Sequence, residues 1–372
     1  MSHPEPARGA AFRGRVLPVL LNLTLGTAGG AAAHALNLPL AWMIGAMIAT
    51  TAAAVIGLPL SFSRPLRTGM ITILGVMLGS AFVPEILDQV ARWSFSLVAL
   101  ALYAVTTTGA TMLYFRKVAG YDPITAYFCA VPGGLNEMTV MGAALGGEER
   151  AISLTHAARI LFTVLTIPVG FRFLEGYDPA ARIAAANAYL ANGGQDVAIL
   201  ALCAVLGYFV AQRLRLPAAS ILGPMALSAA AHITGLTAAK PPAELVAAAQ
   251  VVAGSAIGAR FAGTAAGTLV RLGIHALAAT AVMVALAILF AAGITAGFGL
   301  PLPDVILALA PGGLAEMSLV ALALHADAAF VSTHHVARIT MVVAAAPALH
   351  RLMPGRRQAR TGVPATDRAA AD

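Results

Sequence analysis

Pro132-Gly133-Gly134-Leu135-Asn136-Glu137-Met138 is answered 179 residues later by Pro311-Gly312-Gly313-Leu314-Ala315-Glu316-Met317. Downstream, Ser153-Leu154-Thr155-His156-Ala157-Ala158-Arg159-Ile160 is matched by Ser332-Thr333-His334-His335-Val336-Ala337-Arg338-Ile339. Glu137 precedes His156 by 19 residues, as Glu316 precedes His335, and both glutamates precede their arginines by 22. Pro168 and Pro347 keep the register. The surrounding sequence is apolar, and ionisable residues in such surroundings are functional candidates because no water is there to solvate them.

Those surroundings are membrane-like. The chain is 59% hydrophobic and 10% charged, whereas an ordinary soluble domain carries about 25% charged residues. Uncharged stretches such as 16–36, 38–57, 93–115, 197–212 and 272–303 recur along it. A spanning helix needs about 20 apolar residues, or about 17 at the short end. None of these stretches carries the charged face of a surface helix. The fold expected is therefore an all-α polytopic membrane protein. The head (1–15) and tail (353–372) are short and basic and are expected as cytoplasmic ends without a fold. The pI near 9.9 follows from positive charge held on the cytoplasmic side, so no direct nucleic-acid partner is expected. Arg8, Arg13 and Arg15 before an apolar run imitate a signal peptide. The first span, however, belongs to a repeat: Gly29–Gly45, with Leu38-Pro39, corresponds to Gly207–Gly223, with Leu216-Pro217. Cys129 and Cys203 lie in apolar stretches without disulfide or metal-ligand spacing, and no cofactor is expected.

The repeat extends further. Gly75 matches Gly254, and Gly79-Ser80-Ala81-Phe82 matches Gly258-Ala259-Arg260-Phe261. The chain divides into repeat 1 (16–175), a linker (176–195) whose Ala-rich stretch 180–191 suits an interfacial helix, and repeat 2 (196–352). Each repeat holds about five transmembrane helices plus a segment broken at Pro-Gly-Gly, 123–147 and 305–324. Proline removes a helical hydrogen bond and glycine relaxes the backbone, so each segment splits into two arms of about ten residues. Backbone freed at membrane depth needs protein or a watery cavity to satisfy it, and transporters build their sites from such discontinuous helices. If the broken segment spans, the repeats run parallel. If it turns back, each repeat crosses five times and the repeats are inverted. With turns, only Arg92, Arg172, Arg182 and Lys240 lie outside, Arg159 and Arg338 lie in the membrane, and the other 17 of the 23 Lys and Arg lie inside. The positive-inside rule favours inverted repeats.

Substrate-binding candidates are Pro132, Gly133, Gly134, Asn136, Arg159, Pro311, Gly312, Gly313 and Arg338. The free N–H groups of a second half-helix attract anions, and arginine's planar fork suits a carboxylate or phosphate. Proton-coupling candidates are Glu137, Glu316, His156 and His335, since buried carboxylates and histidines can change charge. Structural alternatives stand beside these: Glu137–Arg159 and Glu316–Arg338 as closed ion pairs, the histidines as packing residues, and Pro-Gly-Gly as a plain kink.

Two in-register copies of Pro-Gly-Gly-Leu-x-Glu-Met, each followed by His-x-x-Arg-Ile, resemble the bacterial AbrB-type membrane proteins with an internal duplication. The resemblance covers residues 16 to about 352. It implies the labels that family carries, ammonia monooxygenase and transcriptional regulator, the latter through effects on gene expression. A monooxygenase would call for Glu-x-x-His pairs on facing helices, and neither Glu137 nor Glu316 has a histidine three residues on. The function expected is a secondary transporter in the bacterial inner membrane, both termini cytoplasmic, moving a small anionic solute with protons. A membrane regulator acting indirectly is the alternative, and a metal-dependent membrane enzyme ranks below both. A homo-oligomer is compatible with the sequence.

Overall fold

The computed structural model describes residues 8–175 and 193–352. The expected linker helix 180–191, the tail and residues 1–7 of the head lie outside them, whereas residues 8–15 of the head, expected without a fold, begin the first helix. The described residues are all-α, with fourteen helices and no strand. The first half contains α1 (Arg8–Ala35), α2 (Ala41–Val55), α3 (Arg64–Gly79), α4 (Val90–Lys117), α5 (Pro123–Ala130), α6 (Leu135–Ala144) and α7 (Glu149–Glu175). The second contains α8 (Gly194–Arg213), α9 (Ala219–Ile233), α10 (Ala243–Gly258), α11 (Ala266–Phe298), α12 (Leu302–Leu309), α13 (Leu314–Ala323) and α14 (Ala328–Leu352). From α2 onward each helix start in the first half recurs 176–179 residues later. Even strained backbone recurs: Asn37 and Leu40 adopt φ of 52° and 49°, and Arg215 and Ala218 adopt 54° and 48°. A left-handed conformation is uncommon outside glycine, so its double occurrence reflects one loop design used twice.

Six helices are long and apolar enough to cross a membrane. On α1, α4, α8 and α11 only 22–33% of the apolar window is buried, against 67% on α7 and 56% on α14. The last two, which carry the His-x-x-Arg motifs, are therefore interior helices. The outer four expose apolar side chains such as Leu20, Val98, Val105, Phe209 and Leu289, as a lipid-facing surface must.

The two halves interlock. α2 packs on α10, and α3 on α9. The close approach depends on glycine: a methyl group at Gly75 would lie 2.6 Å from the Ile221 carbonyl oxygen, and one at Gly254 would strike that of Met43. Small residues let helix backbones meet where lipid provides no hydrophobic drive for association. Polar bonds cross the same seam, from Thr72 Oγ1 to Ser220 O (3.1 Å) and from Ser228 Oγ to Val76 O (2.8 Å). Helices α1–α3 and α8–α10 form one body. Helices α4–α7 and α11–α14 form a second, in which α11 packs on α4 and α7. The bodies meet where α3 touches α13 and α14, and where α7 touches α2 and α10.

The segment broken at Pro-Gly-Gly turns back. Asp122 caps α5, accepting from the N–H groups of Ile124 and Thr125 at 3.0 and 3.1 Å, with Pro123 in the first turn. Thr125 Oγ1 then accepts from Glu148 N (2.8 Å), just beyond α6. A methyl group at Gly142 would lie 3.2 Å from Phe128 Cβ, and one at Gly147 would lie 3.2 Å from Ile124 Cγ2. The start of α5 is therefore beside the end of α6, and the arms form an antiparallel hairpin. In the second half Asp327 N donates to Asp304 Oδ1 (2.9 Å) across the same 23-residue interval.

Candidate functional site

Each hairpin has a neck and a tip, and the repeated motif divides between them. At the neck, α5 ends with carbonyls that no helical N–H can reach. Arg159, on α7, fills this need: Nη1 donates to Val131 O (2.9 Å) and Nη2 to Gly133 O (3.1 Å). His156, one turn earlier, bonds through Nε2 to Phe128 O (2.7 Å). The second half repeats the pattern. Arg338 donates to Ala310 O (2.7 Å) and Gly312 O (2.8 Å), and His335 Nε2 bonds to Leu307 O (3.0 Å). Arg159 and Arg338 are each 2% exposed and both histidines are fully buried. A cation at the negative end of a half-helix is favoured by the helix dipole. The two guanidinium groups lie in electrostatic reach of one another and of Tyr103, so the two necks converge.

This network replaces the ion-pair alternative. Both arginines spend their Nη donors on backbone carbonyls, and neither glutamate bonds to its own arginine among the described residues. Arg338 Nη2 also donates to His335 Nδ1 (2.9 Å). With Nε2–H given to a carbonyl, His335 is neutral and has one tautomer, since a proton on Nδ1 would face the guanidinium. The Nε atoms of both arginines and Nδ1 of His156 are buried without a partner. His334 bonds to Ser96 Oγ and Phe330 O, both at 2.8 Å, and packs on Trp93 and Phe330. It is a packing residue.

The tip explains the rest of the motif. A methyl group at Gly133 would lie 2.7 Å from Met138 Sδ, and one at Gly312 would lie 2.6 Å from Met317 Cγ. At Gly134 and Gly313 it would strike the carboxylates of Glu137 and Glu316. The first glycine of each pair makes room for the methionine and the second for the glutamate. Each glutamate sits at the third position of its half-helix, folded back over the helix N-terminus, where a negative charge is stabilised.

The two tips differ in surroundings. Asn136 is exposed and Glu137 half-buried, whereas their counterparts Ala315 and Glu316 are buried, Glu316 to 9% exposure. Glu137 Oε1 accepts from Ala218 N (3.2 Å), in the strained loop before α9. Arg67, in the first turn of α3, lies in electrostatic reach of both Glu316 and Glu137. Arg260, in the turn after α10, donates to Asn136 Oδ1 (2.7 Å) and Ser153 Oγ (3.0 Å). The structure thus brings together Asn136, Glu137, Arg260, Ser153 and Arg67, and places Arg159 and Arg338 at the necks. Arg67, Arg260 and Ser153 escape sequence reasoning, which sees the first two as loop charge. One signal existed: Arg260 replaces Ala81 inside an otherwise matching Gly-x-x-Phe segment. Among the described residues no three of His, Cys, Asp and Glu converge as metal ligands.

Known proteins bear on this arrangement. Residues 42–354 match the family described as transition state regulatory protein AbrB. An uncharacterized protein of Bacillus subtilis (strain 168), YhjN, is 27% identical over 359 residues, covering 89% of this chain and 92% of its own. A protein of Escherichia coli (strain K12) named "Putative regulator AbrB" is 25% identical over 322 residues, covering 86% of this chain and 91% of its own.

Proposed function

The chain belongs to the AbrB family, and on that premise we propose that it is a secondary transporter for a small anionic solute, coupled to protons through Glu137 and Glu316. The observation that carries this reading is the unequal exposure of two equivalent hairpin tips. Glu137 is reached by solvent while Glu316 is closed off, which is what one open and one shut gate look like in a duplicated transporter. Inverted repeats fit this best: each hairpin returns to the side it entered, leaving five crossings per half. Both termini then lie in the cytoplasm, and the membrane is the bacterial inner one.

Burial supports coupling. A carboxylate moved from the open to the shut condition loses water, and burial favours its protonated form. Arg67 serves both tips, and its counterpart by register is Val246. Arg159 and Arg338 hold the necks rigid and keep the centre of the second body positive. The separate packing of two helical bodies supports their movement as units.

In proteoliposomes, solute flux should depend on the pH gradient, and Glu137→Gln or Glu316→Gln should uncouple flux from it. Pure protein that gives no flux with carboxylates, phosphates or sulfonates would sink the reading. The regulator named among the relatives supports a second reading, a membrane protein that alters gene expression. Transport contains it if the solute level is what the cell senses.

A further inference from the structure

The internal duplication separates what the fold requires from what it does not. The neck network is needed to hold a hairpin, and its arginine and histidine bonds to the freed carbonyls occur twice in register, Arg338 adding one to His335 Nδ1. The contacts of Arg260 occur once. By register, the counterpart of Arg260 is Ala81, that of Asn136 is Ala315, and those of Arg67 and Arg64 are Val246 and Ala243. Ser153 has a serine counterpart, Ser332, but that hydroxyl is buried and donates to Ser318 Oγ (2.8 Å). The second hairpin has Arg67 within electrostatic reach of Glu316 but no arginine of its own in the place of Arg260. The first therefore does not need Arg260 merely to fold.

Arg260 sits in an unusual electrostatic position. Its two Nη atoms bond to neutral groups, the Asn136 amide oxygen and the Ser153 hydroxyl. Its guanidinium carbon stands 5.8 Å from the centre of the Phe62 ring. Arg67 and Arg64 add positive charge within electrostatic reach. Three like charges converge on the solvent-reached side of the first tip, against two carboxylates, Glu137 and Glu316, that lie in electrostatic reach of Arg67. Bringing cations together is unfavourable unless an anion offsets them.

We propose that Arg260, with Asn136 and Ser153 as neutral partners, is the oxyanion-binding group of this chain, engaging a carboxylate or phosphate at the tip of the first hairpin. This rests on the transport reading and moves its recognition site away from Arg159 and Arg338, each of whose Nη atoms already donates to a backbone carbonyl of its own hairpin neck. The planar fork of Arg260 takes two oxygens of such a ligand in parallel. The Asn136 oxygen and Ser153 hydroxyl hold that fork in place while the site is empty, so little ordering is left to do on binding. When the ligand takes the fork, the Asn136 amide can present its NH2 and Ser153 its hydroxyl hydrogen to the same oxygens. A spherical anion such as chloride gains nothing from the fork.

The test uses the full chain in detergent, titrated with succinate, inorganic phosphate and chloride and followed by thermal shift and calorimetry. Saturable binding of succinate or phosphate, with chloride weaker, is the expected result, and the stronger of the two identifies the oxyanion class. Arg260→Lys should weaken binding about tenfold or more, the loss of one charge-assisted hydrogen bond, and Arg260→Gln should abolish it. Arg150→Gln removes an equal charge nearby, from a side chain bonded to Gly263 O and Thr264 Oγ1, and should leave binding intact. Should Arg260→Gln fail to fold, Asn136→Ala and Ser153→Ala report on the same site. Wild-type protein that binds neither oxyanion, Arg260→Lys and the alanine variants binding like wild type, or equal loss in Arg150→Gln would each overturn the proposal. Wild-type binding without flux would leave the site standing and remove transport. Flux that survives in Arg260→Gln would do the reverse.

Discussion

Replacing Arg159 by methionine keeps an unbranched apolar stem and removes the guanidinium. Gly133 O then loses its arginine donor, and Val131 O keeps only the Gly133 N–H (2.9 Å). In a soluble protein, two hydrogen bonds to a charged group would be worth about 1.5–3 kcal/mol each. Interhelical bonds in membranes average nearer 0.6 kcal/mol and reach about 1.7, which sets about 1–3 kcal/mol for the pair. Removing a buried charge returns part of its desolvation cost. The expected loss is therefore about 2 kcal/mol, roughly a thirtyfold change in the unfolding equilibrium at about 1.4 kcal/mol per decade. Arg338→Met should cost at least as much, because it removes the same two bonds and a third, to His335 Nδ1. Reversible unfolding in mixed detergent and dodecyl sulfate micelles measures both. The decisive comparison is a double-mutant cycle with Glu137→Gln. No bond joins Glu137 to Arg159, so the two effects should add within about 0.5 kcal/mol. A double variant that regains stability, with a coupling above about 1 kcal/mol, would show that the pair is a closed ion pair and that the carbonyl assignment is wrong.

Three further outcomes follow from the geometry. In a chain lacking Cys129 and Cys203, Asn136→Cys should react with a small thiol reagent, while the register-matched Ala315→Cys should stay protected until the protein is unfolded. Lys117→Cys and Glu149→Cys should react with an impermeant reagent from the same side of the membrane, and labelling from opposite sides would mean that the hairpin spans. Gly254→Leu, which drives a side chain into Met43 O, should destabilise the chain by about 1–3 kcal/mol or more through overpacking, measurable as a lowered unfolding midpoint.

The necks and tips were partly legible in one dimension. Pro-Gly-Gly announces a break because proline and glycine act through their own backbone. The paired Glu, His and Arg announce importance because they recur in apolar sequence at fixed intervals. What each arginine does was not legible. Arg159 and Arg338 read as binders of an anionic substrate, with Glu137 and Glu316 as the alternative partners, since opposite charges in lipid invite pairing. The structure instead gives the arginines to carbonyls that the break itself had freed, a demand that appears only once α5 and α6 lie side by side.

Composition and periodicity by themselves determined the all-α class, the apolar exterior and the place of both breaks, because each depends on residues near one another in the chain. The reversal of the broken segment was weighed from charge counts but decided by contacts between its two arms. The pairing of α2 with α10 and α3 with α9, and the meeting of Arg260 with Asn136 across 124 residues, belong to the tertiary structure alone. So does the difference between the two tips. Their motifs are nearly identical, and only packing against helices from the opposite half decides which carboxylate meets water. Solvation of a charge depends on everything around it, and a local stretch of sequence records only part of that.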